Sequence, residues 1–127
     1  MPREQALRAD AEAAFRAALA AADPGPRVAD WLRTNDRAAR PAGRLAIVAI
    51  GKAACAMAEG ALAERAADPA DVLVVTKEGH AGRCPAGVGQ VVETGHPSPD
   101  GRSLAAGDEV LDRVRALGDG DELLLLL

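Results

Sequence analysis

Residues 47–62 read "IVAIGKAACAMAEGAL" and join two kinds of hydrophobic pattern through Gly51 and Lys52. The apolar run that ends there, "LAIVAI" at 45–50, is typical of a strand covered on both faces in a parallel sheet. After the junction, small and apolar residues recur at helical spacing from Ala54 to Leu62, which predicts a helix packed on that sheet. A buried strand followed directly by such a helix indicates an α/β fold.

The rest of the chain continues this alternation of strands and helices. Apolar runs predict further strands at 72–75, at 88–94 and in the closing "DELLLLL", and periodicity predicts a helix at 104–117. We therefore predict a Rossmann-like, doubly wound, mostly parallel sheet. The link "KEGHAGRCPAG" between the second and third strands is short for a helical crossover, so either direction is open to the third strand.

Two helical segments come before the predicted sheet. Apolar spacing predicts helices at 3–22 and 27–33, with "DPGP" at 23–26 as the break between them. Residues 1–40 are then a helical lead-in, and residues 44–127 form the sheet and its helices. Because the closing leucine run has no turn or polar end, and apolar strand edges are normally covered, we expect residues 1–127 to be an incomplete α/β domain.

Composition excludes several classes of protein. The chain has 127 residues, a net charge of −4 and two aromatic side chains, Phe15 and Trp31, which argues against a nucleic-acid-binding surface. Its charged N-terminus does not resemble a signal peptide, and no apolar run approaches the ~20 residues of a membrane span. We therefore expect a cytoplasmic protein without a membrane partner. Cys55 and Cys84 lack CxxC spacing, and in a reducing compartment we expect both to be free thiols.

Lys52 is one of two lysines in a chain with thirteen arginines, and it stands between a strand and a helix. Free N–H groups and the helix dipole favour an anion at such a helix start, and Gly51 lets the backbone approach it closely. A lysine adds a compact, mobile charge that can follow a carboxylate or a phosphoryl group, whereas arginine imposes a planar fork. The alternative is that Lys52 only begins the helix and points to solvent.

The second lysine, Lys77, also follows a strand, in "VLVVTKEGH", and "ETGHPSPDG" follows the next strand. Lys77, His80 and His96 would share the carboxyl edge of a parallel sheet, where ligands bind in open α/β folds. His80 and His96 are equally compatible with ordinary loop roles, and Asp100 or Ser98 is expected to cap the following helix. The histidines and Cys84 are irregularly spaced, so we predict no metal site.

Two common nucleotide-binding motifs are missing from the junction. A P-loop needs GxxxxGK[ST], but Lys52 is followed by Ala53 and lacks the upstream glycine. A dinucleotide fingerprint needs GxGxxG, and "GKAACAMAEG" lacks the second and third glycines. The junction therefore indicates neither a P-loop nucleoside triphosphatase nor a typical NAD-binding site.

Taken together and in order, "IVAIGKAACAMA", "VLVVTKEGH", "VVETGHPSPDG" and "DELLLLL" resemble the N-terminal domain of the glycerate 2-kinase family. Members of this family are often named hydroxypyruvate reductases. The resemblance is strong over 45–127 and looser over the leading helices. It implies ATP-dependent phosphorylation of D-glycerate to 2-phosphoglycerate, with Mg²⁺ as the usual metal and an active site between two α/β domains.

The resemblance also implies roles for individual residues. The lysine of the family's GKA motif matches Lys52, which is the candidate for catalysis and for binding of substrate or phosphate. Gly51, Lys77, His80 and His96 fall on motif positions along the cleft side and are further binding candidates.

One departure from the family is large. In the family, the strand that matches "DELLLLL" leads into a Ser/Gly-rich phosphate-binding loop and later a second domain, and these 127 residues contain neither. We therefore expect the chain to lack its C-terminal domain and to be inactive alone. Two alternatives remain: a hydroxypyruvate reductase that uses a nicotinamide cofactor, or a non-catalytic module that binds an anion or a partner strand.

Overall fold

Four strands alternate with helices in the computed structural model, which describes residues 2–127. The elements are α1 (Pro2–Ala21), α2 (Pro24–Thr34), β1 (Leu45–Ile50), α3 (Ala54–Glu64), β2 (Val72–Lys77), β3 (Gln90–Thr94), α4 (Gly101–Arg115) and β4 (Glu122–Leu126). Single 3₁₀ turns at Pro69–Asp71 and Ala81–Arg83 precede and follow β2. All predicted strands and helices are therefore present.

The sheet has the order β3-β2-β1-β4, and every pairing in it is parallel. Helix α3 connects β1 to the adjacent β2, whereas α4 carries the chain from β3 at one edge to β4 at the other. The direction of winding reverses between β1 and β4, so the sheet is doubly wound, as predicted. The structure also settles the direction of β3, which is parallel to β2 although residues 78–89 contain no crossover helix.

Both faces of the central strands are covered. Ile47 and Ala49 pack on the side of α3, and Val48 packs with Ala106 on the side of α4. Because alternate side chains of β1 enter two different cores, the strand must be apolar along its whole length. The edge strand β4 is covered less completely, and Leu125 stays 46% exposed.

The break predicted at 23–26 is present but shorter than expected, because α1 ends at Ala21 and α2 already begins at Pro24. Helix α2 begins at Pro24, and the Asp23 side chain accepts a hydrogen bond from the Gly25 N–H at 3.3 Å. Proline is well suited to the first position of a helix, because its missing N–H has no partner there and its φ angle is already helical. "DPGP" therefore starts the second helix with a cap.

Helix α2 packs closely on α3 through two glycines. A Cβ atom placed on Gly60 of α3 would overlap the carbonyl oxygen of Gly25 in α2. The two helices can therefore approach each other only while position 60 has no side chain.

Gly60→Ala is expected to lower the free energy of unfolding by about 1–3 kcal/mol, because backbone must move to relieve the overlap. Gly107→Ala is the matched control, since Gly107 also lies within a helix but a Cβ there would meet nothing within 4 Å. The control should raise the free energy of unfolding by up to about 1 kcal/mol. Urea titrations measure both changes, and equal effects at the two positions would contradict the packing.

Candidate functional site

The carboxyl ends of β1, β2 and β3 meet around a small cleft with a volume of about 100 Å³. Its lining includes four of the five predicted site residues, Gly51, Lys52, Lys77 and His96. His80 lies outside this lining, at the start of the 3₁₀ turn that follows β2. The parallel direction of β3 is what brings His96 to the same edge as the two lysines.

The junction between β1 and α3 leaves the first turn of α3 open. Gly51 has φ +118°, in the region that favours glycine, and its N–H still donates to the Val75 carbonyl at 2.9 Å. The residue before the helix is Ala53, which has no side chain able to cap it. The N–H groups of the first turn are therefore free of a side-chain acceptor, and they carry the positive end of the helix dipole.

Both lysines of the chain lie at this edge. Lys52 is exposed and Lys77 is half-buried, and neither forms a salt bridge with a carboxylate within residues 2–127. Two cations without carboxylate partners beside an uncapped helix start create a local positive potential in a chain of net charge −4. The arrangement favours binding of a carboxylate or a phosphate.

Thr76 is a buried residue of the site that the motif analysis missed. Its hydroxyl donates a hydrogen bond to the Gly51 carbonyl at 3.0 Å, so the end of β2 holds the turn that carries Lys52. The available signal was a hydroxyl at the end of an otherwise apolar strand, directly before Lys77.

The loop after β3 is anchored by Asp100, as predicted for the cap of α4. Its carboxylate accepts hydrogen bonds from the N–H groups of Arg102 and Ser103 at 3.0 and 3.2 Å, and the Ser103 hydroxyl accepts from the Asp100 N–H at 3.1 Å. The Arg102 guanidinium, which donates to Asp100, is the main cause that lowers the pKa of this carboxyl to about 2. Arg102 also pairs with Glu78, so it links the loops after β2 and β3.

The two cysteines form a disulfide bond, so the expectation of free thiols was wrong. Cys55 lies in the first turn of α3, and Cys84 directly follows the 3₁₀ turn after β2. Their Cα atoms are 4.4 Å apart although 29 positions separate them in sequence. They meet because β1 and β2 are neighbours and both chain segments leave the sheet at the same edge. The bond therefore ties the helix that follows Lys52 to the loop that contains His80.

This chain is similar to one sequence family and to several known proteins. The sequence family described as "Domain of unknown function (DUF4147)" matches residues 10–127. A protein of Agrobacterium vitis, provisionally named hydroxypyruvate reductase, is 38% identical over 115 residues, which is 89% of this chain and 24% of that protein. The D-glycerate 2-kinase of Thermotoga maritima is 37% identical over 84 residues, covering 66% of this chain and 20% of the kinase.

A solved structure shares the fold. The crystal structure of a glycerate kinase from Thermotoga maritima superposes with a TM-score of 0.76 and 28% sequence identity, over 97% of this chain and 28% of that protein. The chain thus spans about a quarter of the length of the relatives that it matches. It belongs to the DUF4147 family, and it is similar in sequence and fold to glycerate 2-kinases.

Proposed function

We propose that this chain is the first part of an ATP-dependent kinase that phosphorylates D-glycerate to 2-phosphoglycerate, here called the parent kinase. The observation that carries the proposal is the pair of lysines without carboxylate partners at the uncapped start of α3. Such a site suits an anionic substrate that receives a phosphoryl group, since both groups carry negative charge. The glycerate 2-kinase relatives support the same reaction class.

Lys52 is the proposed catalytic residue. Its ammonium group binds the glycerate carboxylate or the transferred phosphoryl group and stabilises the charge that develops as the 2-hydroxyl attacks. Gly51 allows the backbone to approach the same anion, and further binding contacts come from Lys77 at the end of β2 and from His80 and His96 in the neighbouring loops. Phosphoryl transfer depends mainly on such positioning and charge neutralisation.

The cleft of this chain does not fit Mg²⁺. Magnesium prefers carboxylate, phosphate and water oxygens, whereas the charged side chains of the cleft are those of Lys52 and Lys77. No group of three or more His, Cys, Asp or Glu side chains placed to hold a metal occurs in residues 2–127. In the parent kinase a Mg²⁺ ion would need oxygen ligands from the nucleotide, from water or from side chains other than the two lysines of this cleft.

We expect the 127-residue chain to be inactive by itself. It supplies one of the two domains between which the active site of the parent kinase is expected. It also spans only about a quarter of the length of its relatives. Several large apolar side chains are also exposed to solvent, including Phe15 (65% exposed) and Leu104 (76% exposed). This exposure is consistent with further chain packing on this domain. A glycerate-dependent release of ADP by the purified chain would contradict this expectation.

Two other functions remain candidates, and one set of assays separates them. Hydroxypyruvate reduction is suggested by the name of the Agrobacterium relative, but the β1–α3 turn has only Gly51 where a dinucleotide fingerprint needs three glycines. The parent kinase should release ADP and form 2-phosphoglycerate from ATP and D-glycerate, and should not oxidise NADH with hydroxypyruvate. NADH oxidation without phosphorylation would favour the reductase, and phosphate binding without either turnover would favour a binding module.

We place the parent kinase in the cytoplasm, where ATP is available. None of the helices within residues 2–127 combines the length and apolar character needed to cross a membrane. Disulfides are rare in that compartment, so the Cys55–Cys84 bond is the feature that runs against this placement.

A further inference from the structure

Glu93 of β3 is a charged residue that the proposed mechanism does not use. It lies in register with Thr76 of β2, and its side chain is half-buried. Its carboxylate accepts a hydrogen bond from the backbone N–H of Ala81 at 2.8 Å, beyond the end of the neighbouring strand. A charge on one strand thus holds the loop that follows another strand.

The loop is folded so that the Ala81 N–H reaches this carboxylate. Gly79 has φ +80°, the His80 N–H donates to the Lys77 carbonyl at 3.2 Å, and Ala81 begins the 3₁₀ turn. The hydrogen bond from the Ala81 N–H is the main cause that keeps the pKa of Glu93 below its usual value. Glu93 is therefore ionised at neutral pH, and the Ala81 amide stabilises its charge.

We propose that Glu93 is a positioning residue that holds the turn at 77–81, and with it Lys77 and His80, in the geometry of the anion site. A glutamate suits this task because a hydrogen bond to a charged carboxylate is stronger than one to a neutral oxygen. A glutamine has one acceptor oxygen, and its NH₂ group would face backbone donors. The hydrogen bond between Glu93 and Ala81 does not depend on which reaction the protein catalyses. Its effect on catalysis rests on the proposed function.

The first test measures the contact in the 127-residue chain. Glu93→Gln should speed amide hydrogen exchange at Ala81 by about tenfold, because the hydrogen bond of this amide to a charged acceptor is lost. Glu109→Gln is the matched control: Glu109 is also half-buried, but its carboxylate bonds to the Arg113 side chain at 2.9 Å. The control should leave exchange at Ala81 unchanged in ¹⁵N NMR spectra.

Two results of this test would overturn the proposal. Unchanged exchange at Ala81 in Glu93→Gln would show that the carboxylate does not hold the turn. Loss of the whole fold would make Glu93 a general structural residue and not a positioning one.

The second test measures the consequence in the parent kinase. Glu93→Gln should lower kcat for D-glycerate phosphorylation by about tenfold, with the change in KM smaller, because misplaced groups cost most in the transition state. Glu109→Gln should leave both parameters near normal. Faster exchange with unchanged kinetics would overturn the positioning role. If the unaltered parent has no kinase activity, the proposed function fails, while the exchange result still decides whether Glu93 holds the turn.

Discussion

Lys52→Ala is expected to lower kcat/KM for D-glycerate by about 10²–10³-fold in the parent kinase, the range seen when a preorganised donor to a developing charge is removed. The loss should be large because Lys52 lies beside the uncapped start of α3 without a carboxylate that competes for its charge. Steady-state kinetics with saturating ATP measure the change. The loss should appear in kcat if Lys52 acts mainly in the transition state.

Two further variants test whether activity depends on the ammonium geometry of Lys52 and on the position of its positive charge in the cleft. Lys52→Arg keeps the charge but replaces a mobile ammonium by a planar guanidinium, so we expect activity between those of the alanine variant and the unaltered enzyme. Arg83→Ala removes an exposed positive charge from the neighbouring loop but not from the cleft, and should leave kcat/KM within about twofold. Near-normal activity of Lys52→Ala would remove this lysine from the mechanism.

Reduction of the Cys55–Cys84 bond is expected to lower the free energy of unfolding of the 127-residue chain by about 3–4 kcal/mol. The bond joins residues that are 29 positions apart, and a closed loop of this length restricts the unfolded chain substantially. Urea titrations with and without a phosphine reductant measure the difference. Masses of alkylated samples establish the oxidation state in each titration.

A double variant, Cys55→Ser with Cys84→Ser, is the control for this prediction. Its unfolding midpoint should not respond to the reductant, because it has no bond to break. Equal stability of the oxidised and reduced natural chain would contradict the assigned role of the bond. An alkylated mass that shows two free thiols without reductant would show that the chain folds without the bond.

The strands and helices of the sheet could be predicted because their patterns are strong and local. The continuous apolar run of β1 and the helical spacing after Ala54 each report burial directly, and both elements lie where they were expected. The start of the second helix was predicted at 27 and not at Pro24 because proline was interpreted as a break, although next to Asp23 it serves as the first helical residue. In the sequence alone, the Asp-Pro pair is compatible with a helix break and with a helix start. The packing of α2 on α3 distinguishes the two.

The site was predicted in part because its charged residues each follow a strand. This rule located Lys52, Lys77 and His96, but it could not find contacts that join distant segments through the sheet edge. The bond between Cys55 and Cys84 is of this kind. Away from the site, Arg65 is another contact between distant segments: it is buried at the end of α3, and its guanidinium donates to the carbonyl oxygens of Leu32 and Ala38 at 2.5 and 2.8 Å. Among thirteen arginines, no sequence feature distinguishes it.

The central claim is that a substrate anion binds at the edge where both lysines of this chain lie. It can be measured in the parent kinase by acylating amines and following each lysine by mass spectrometry, with D-glycerate and ATP present or absent. We predict that the ligands slow modification of Lys52 severalfold and that of Lys77 to a smaller extent, because Lys52 is the exposed residue at the open helix start. The α-amino group, which reacts with the same reagent, should be unaffected. Equal modification of Lys52 with and without the ligands would contradict the account.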